Sequence, residues 1–295
     1  MNYNVSESQD SQHIAINKMQ AILSKGGPSY DDYDFVTDFC QENAPQMSAV
    51  KNTGLEFLYS NNSIMGHIRN KPYGYAGDFH IIDRIYTHDY SSQFEKWDRF
   101  SLQNSAAVAV RNRKTYFKNL VSSKVGKDSQ QILNVASGPA RDIFEFFEEN
   151  ENSNHINFTC VEMDQRAIDF ALKLNQDHKN KITFINKNIF KFRTEEKFDM
   201  IWSAGLFDYF DDRAFVHTLS KMKDWIKPGG EIVIGNFNQE CNPSRPYMEI
   251  IGEWFLNHRT DDELIALAVK AGFSKENLRI GREEENVNLF LHIKN

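Results

Sequence analysis

The stretch Val135-Ala136-Ser137-Gly138-Pro139-Ala140-Arg141-Asp142 closes an apolar run and opens a helix-like segment. A small residue and a glycine after a buried strand let the backbone approach a ligand, and the next helix offers free N–H groups. A dinucleotide fingerprint wants three glycines. One is present, followed by Pro139, so a pyrophosphate cradle is poorly supported while a phosphate-free nucleoside fits. Taken alone, the loop reads equally well as a tight structural turn. About 25 residues later a second apolar run ends in Val161-Glu162-Met163-Asp164, and a carboxylate at such a strand end accepts hydrogen bonds from both ribose hydroxyls. Glu162, the first acid after the run, is the better candidate; Asp164 reads equally well as a helix cap. Asn188-Ile189-Phe190 offers adenine a polar partner and an apolar face. Ser203-Ala204-Gly205-Leu206-Phe207-Asp208-Tyr209 falls where open α/β sheets bind ligands, at the strands' carboxyl edge.

These residues need a scaffold that brings several strand ends together. After Gly126, short apolar runs alternate with amphipathic segments, the pattern of a parallel βαβ sheet. Strands are predicted near Ile132–Ala136, Asn157–Glu162, Ile182–Ile185, Asp199–Ser203 and Glu231–Gly235, the last entered through a Lys227-Pro228-Gly229-Gly230 turn. Helices are predicted near Arg141–Glu149, Gln165–Asn175 and Asp212–Ile226. A helix over Asp261–Ala271 then precedes strands at Asn277–Arg282 and Val287–Ile293, too close for a helical crossover and so antiparallel. Before Gly126 the chain reads as helical from His13 to Ser60, broken near Gly26-Gly27-Pro28 and Pro45, with residues 1–12 polar and disordered. Further helices are expected over Phe79–Tyr86 and Ser101–Val121, the first preceded by a Gly- and Tyr-rich loop, Arg69 to Asp78. The division is a helical segment, 1–125, followed by an α/β domain, 126–295.

Composition narrows the partners. A net charge of −7 argues against nucleic acid, which demands a basic surface. No apolar run approaches the roughly 18 residues that span a bilayer. Met1 to Asp10 is unlike a signal peptide, which points to the cytoplasm. Cys40, Cys160 and Cys241 have neither disulfide nor zinc spacing, so no metal is expected. Arg111 and Arg113 are candidates to hold a substrate carboxylate; two apart on a helix, they point to different faces, so at most one does so.

Over roughly residues 130–295 the sequence resembles the class I S-adenosylmethionine (SAM)-dependent methyltransferases, on Leu133–Ala140, Val161–Asp164, Asn188, Asp199–Asp208 and Pro228–Gly235. It is also similar, from about residue 69, to the bacterial group that includes the synthase of the 3-hydroxypalmitic acid methyl ester quorum signal. That likeness is carried by Lys71–Asp78, Ala109–Arg113, Ala204–Tyr209, Gly235-Asn236-Phe237 and Asn257-His258-Arg259-Thr260, with Ser137 where the group usually has Cys. The resemblance implies an α/β, Rossmann-like, mostly parallel sheet whose last strand is antiparallel, with a helical N-terminal lid. It implies SAM as cofactor, held by Ala136, Ser137, Gly138, Glu162, Asn188, Ile189 and Ser203. Tyr75, Asp78, Tyr209, Asn236 and His258 would face the methionine portion or a small-molecule acceptor. The rings of Tyr73, Tyr75 and Tyr209 suit a sulfonium cation as well as they suit packing under a lid. A carboxylate acceptor needs no base, whereas one of high pKa would call on His258 or His80, either of which reads equally as structural. Three other readings stay open: cyclisation or cleavage of SAM without methyl transfer, a non-catalytic binding module and, set back by the single glycine, a dehydrogenase.

Overall fold

The computed structural model describes residues 3–42, 54–126 and 128–295, and the chain divides into two units. The first, Met1–Val108 with Pro243–Phe255, is helical. It holds α1 (Tyr3–Ser24), α2 (Tyr33–Glu42), α3 (Ile64–Asn70), α4 (Phe79–Thr87), α5 (Glu95–Gln103) and the start of α6 (Ser105–Ser122). The expected N-terminal disorder is corrected: the helix runs from Tyr3, because once a helix is nucleated each further residue adds a bond even without an apolar stripe. It stops where Gly26 and Gly27 take positive φ, 78° and 128°. The break expected at Pro45 lies outside the described residues. The single helix expected over Ser101–Val121 is two, because Asn104 turns extended and its Oδ1 accepts the Ala107 N–H at 3.1 Å, capping α6.

Two buried acids organise this unit. Asp98 accepts the N–H groups of Ile64 (2.7 Å) and Ser91 (2.9 Å) and pairs with Arg84 at 3.3 Å. Burial pushes its carboxyl up, and those donors oppose the push. Asp78 caps α4 by accepting from His80 N (3.0 Å) and Ile81 N (2.9 Å), while its other oxygen meets His67 Nε2 at 2.8 Å.

The second unit, Ala109–Asn242 with Leu256–Asn295, is a seven-stranded sheet with helices on both faces. Its strands are β1 (Gln130–Val135), β2 (Ile156–Glu162), β3 (Ile182–Asn186), β4 (Phe198–Ser203), β5 (Ile226–Phe237), β6 (Leu278–Arg282) and β7 (Asn288–Lys294), in the order β3-β2-β1-β4-β5-β7-β6. Pairing is parallel except for β7, which runs antiparallel to both β5 and β6. This is the expected Rossmann-like sheet with an antiparallel last strand.

Alternation along the strands builds two cores. Ile132, Phe158, Met200, Trp202 and Phe290 pack with Phe117 of α6 and with Ile143 and Phe146 of α7 (Arg141–Glu149). Leu133, Val135, Ile201, Ile232 and Leu289 face the other way, toward Phe215 and Leu219 of α9 (Asp212–Met222) and Leu264 of α10 (Asp261–Lys270); α8 (Gln165–Leu174) follows β2. The expected turn at Lys227–Gly230 is instead the start of β5. Pairing with β4 jumps from Phe198↔Ile226 to Met200↔Glu231, so the proline and glycines form a bulge, the place where a strand tolerates proline.

Candidate functional site

The strand order reverses direction between β1 and β4, and open α/β sheets leave a crevice beyond the carboxyl ends of such a pair. The loop after β1 is wound tightly there. Ala136, Gly138 and Ala140 all have positive φ, at 57°, 53° and 49°. Left-handed backbone at a non-glycine residue costs about 1–3 kcal/mol and collects at functional sites. A Cβ placed on Gly138 would meet nothing within 4 Å, so the loop presents bare backbone to open space. Ser137 is buried beside it.

Glu162 ties this loop to the end of β2. Its Oε2 accepts the Gly138 N–H at 3.0 Å, and its Oε1 accepts those of Met163 (2.7 Å) and Asp164 (2.9 Å). Burial pushes its carboxyl up, and the same N–H groups pull it back toward ionisation. Asp164 is committed to the cap: its Oδ1 accepts from Arg166 N at 3.0 Å and pairs with Arg166 Nε at 2.8 Å. Met163, between the two acids, is a 61 % exposed apolar side chain whose sulfur lies 3.8 Å from Asn188 Nδ2. Asn188 is exposed just beyond β3 and Ile189 is buried behind it. Ser203 is fully buried at the end of β4, its hydroxyl donating to Val135 O at 3.1 Å. The open side of Gly138 and the acid at β2 together fit a nucleoside without phosphate.

On the β4 side the chain is knotted by buried polar groups. Asp208 accepts the Phe237 N–H at 2.7 Å. Arg259 Nη1 donates to Phe207 O (3.1 Å) and Asn236 Oδ1 (2.9 Å), and its Nη2 donates to Phe210 O (2.6 Å). Tyr209 sits exposed on the turn these bonds hold. Asn236 is fully buried and gives its amide to Asn257 O at 3.0 Å. Both ring nitrogens of His258 are engaged, Nδ1 with Leu256 O (3.2 Å) and Nε2 with Asn242 Nδ2 (3.0 Å). A neutral ring that donates from Nδ1 and accepts at Nε2 satisfies both contacts.

Two further buried acids lie here. Asp142, at the start of α7, and Asp208 are each pushed up to about 6 by burial, against the opposing charge of Arg113 and, for Asp208, of Arg259. Each therefore holds its proton more tightly folded than unfolded. The resulting stability is complete below the ordinary value of 3.8 and is lost as pH rises through about 6. A shift of that size is worth roughly 3 kcal/mol per group. Asp208→Asn keeps an acceptor for Phe237 N–H, so its melting temperature should vary less between pH 4 and 6.5 than that of the unsubstituted protein. An unchanged pH profile would exclude Asp208 as a source of that dependence.

Residues 126–282, more than half of the chain, match a family model described as a methyltransferase domain. The chain belongs to that methyltransferase family. The methyltransferase shares its fold with solved structures of low sequence identity. A protein from Bordetella parapertussis, described only as a possible exported protein, aligns with TM-score 0.65 and 15% identity over 96% of this chain and 98% of its own. The SAM-dependent methyltransferase SibL, in its apo form, aligns with TM-score 0.56 and 12% identity over 86% and 69% of the two chains. The magnesium protoporphyrin IX methyltransferase of Synechocystis PCC 6803, solved with bound SAM, aligns with TM-score 0.53 and 9% identity over 79% and 97%. No curated protein sequence matches the chain. Among the described residues, no helix is long and apolar enough to cross a membrane, and no cluster of metal-ligating side chains occurs.

The remaining sequence candidates of the methyltransferase, Tyr75 and Asp78, belong to the helical unit. Tyr75 is half-buried in the loop before α4. Asp78 is fully buried as cap and His67 partner. His67 stacks on His80 with ring centres 5.2 Å apart, and burial lowers the His80 pKa. Sequence reasoning passed over His67, Met163, Asp142 and the role of Arg259. Met163 had a usable signal, since an apolar residue between a strand-end acid and a capping acid has no core to enter.

Proposed function

We propose that this methyltransferase uses SAM to methylate a small molecule, and that the acceptor atom belongs to a carboxylate of a fatty or amino-acid-derived metabolite. The cofactor reading is carried by Glu162: a buried acid at the end of β2, bonded to Gly138 N–H beside open space, suits a ribose diol. Asn188 and the exposed Met163 then flank the adenine, and Ala136–Gly138 and Ser203 border the methionine portion. SAM supplies a methyl group already activated by a sulfonium centre. The protein's work is to align the acceptor in line with it and exclude water. A carboxylate acceptor suits the residues present, because His258, whose ring packs against Phe237 at the end of β5, has both nitrogens committed. An ionised carboxylate attacks without a base. The sequence likeness to the group that includes the 3-hydroxypalmitic acid methyl ester synthase leads the same way.

Mass spectrometry of the purified protein with methyl-labelled SAM and a panel of hydroxylated fatty acids and amino-acid derivatives tests this. Labelled methyl ester with S-adenosylhomocysteine, formed only when acceptor is added, is the expected result. Methylthioadenosine released from SAM alone would replace it with cyclisation or cleavage of the cofactor. Neither product with any acceptor would leave no support for the carboxylate.

A further inference from the structure

Methyl transfer changes one charge on the cofactor. The C–S bond breaks with its electron pair left on sulfur, so a sulfonium becomes a neutral thioether while adenine, ribose and amino-acid chain stay the same. A protein can tell the two forms apart through charge held near that sulfur. The second unit buries such charge just beyond β1 and β4, the strands that flank the crevice.

Asp142 opens α7 directly after the loop that follows β1, and Asp208 lies in the turn that follows β4; both are buried. Arg113 of α6 acts on both carboxylates, and a Cβ added to Gly205 would sit 3.0 Å from its Nη1. Arg259 also faces Asp208, and its other carboxylate, Asp212, lies in solvent. Glu145, one turn along α7 from Asp142, is paired with Lys114 and Lys118. Cys160 of β2 stays a neutral thiol, because burial raises it well above its ordinary value. Two carboxylates thus stand against two guanidiniums. They carry no net charge when both acids are ionised and gain one positive charge for each proton taken up. Both acids titrate at about 6, and charges this far from water are weakly screened. A second observation points to a polar ligand at the same loop. The buried Ser137 hydroxyl has the Cys160 thiol beside it and no nitrogen or oxygen partner among the described residues. Such a group is costly unless something pairs with it.

We propose that Asp142 and Asp208 set the preference for cationic SAM over its neutral product, an inference that rests on the cofactor reading above. Ionised, they balance Arg113 and Arg259 and admit the sulfonium; protonated, they leave those guanidiniums to repel it. By linkage SAM drives protons off the two acids, and S-adenosylhomocysteine does not. Glu162 also titrates, but it would face the ribose that both ligands share, so its part cancels in a comparison of the two. Calorimetric titration of the full chain at pH 6, repeated in buffers of different ionisation enthalpy, counts the protons exchanged with each ligand. SAM should release about 0.3–1 proton more than S-adenosylhomocysteine. The ratio of the two affinities should move at least threefold toward SAM between pH 5.5 and 7.5. Asp142→Asn and Asp208→Asn should each shrink the proton difference, whereas a merely structural role would weaken both ligands together and leave the difference intact. The unsubstituted protein tests the proposal even where a variant fails to fold. Equal proton release for the two ligands, with a ratio indifferent to pH, would overturn this inference and leave the cofactor reading standing. If neither ligand binds, the cofactor reading fails, and the role of the two acids fails with it.

Discussion

Replacing Glu162 with alanine is expected to weaken S-adenosylhomocysteine binding by well over tenfold, the largest loss any single substitution at this sheet edge should produce. Two effects add. The ribose loses the carboxylate that would accept from its hydroxyls, and charge-assisted bonds of that kind are worth about 1.5–3 kcal/mol each. Gly138, Met163 and Asp164 also lose the acceptor for their N–H groups, which frees a loop already held at positive φ on Ala136 and Ala140. Glu162→Gln should do little better, because its amide nitrogen turns a donor toward one of those N–H groups. Because burial raises the carboxyl of Glu162, affinity should also fall as the solution is acidified and the group takes up its proton. Calorimetry with both variants across pH measures this. Unchanged affinity would remove Glu162 from the site. Asp164 would then be a poor replacement, since both its oxygens are turned to Arg166.

What the sequence disclosed follows from the range of the interactions involved. Strand runs such as Ile132–Ala136 and Asn157–Glu162 were legible because both faces of a central strand are buried, which writes a short apolar block into the chain. The antiparallel end was legible from connection length alone. That β7 inserts between β5 and β6 was not, because nothing local distinguishes edge from interior for either strand. The Lys227–Gly230 bulge misled for a related reason: Pro-Gly-Gly spells a turn unless a partner strand absorbs the extra residues. At the site, the Gly138–Glu162 pair could be inferred because each sits at a strand end of defined spacing. The web around Arg259 could not, since it joins residues far apart in the sequence.

That web supports the second large expectation. Arg259→Met should destabilise the fold by roughly 3–5 kcal/mol, the range seen when one member of a buried polar network is removed. The guanidinium is 4 % exposed and satisfies two main-chain carbonyls, Phe207 and Phe210, together with Asn236 Oδ1. It also lies 4.9 Å over the Phe215 ring. Methionine fills much of the volume but removes a donor from three buried acceptors. Phe207 O and Phe210 O keep the bonds from Phe210 N and Asn257 Nδ2, and Asn236 Oδ1 loses its donor, at a cost of about 1–3 kcal/mol for that orphaned group. The ion pair with Asp212 adds little, because that carboxylate is 73% exposed. Arg259→Lys keeps the charge yet lacks the planar fork that reaches two carbonyls at once, so it should recover only a minor part of the loss. Urea unfolding followed by tryptophan fluorescence measures both variants, and a loss below about 1 kcal/mol for the Met variant would show the network to be dispensable. The consequence for the site is specific. The same bonds fix the Phe207–Tyr209 turn beyond β4, so a folded Lys variant should bind S-adenosylhomocysteine more weakly in proportion to its lost stability. Glu162 variants should show the opposite split, with affinity falling much further than stability.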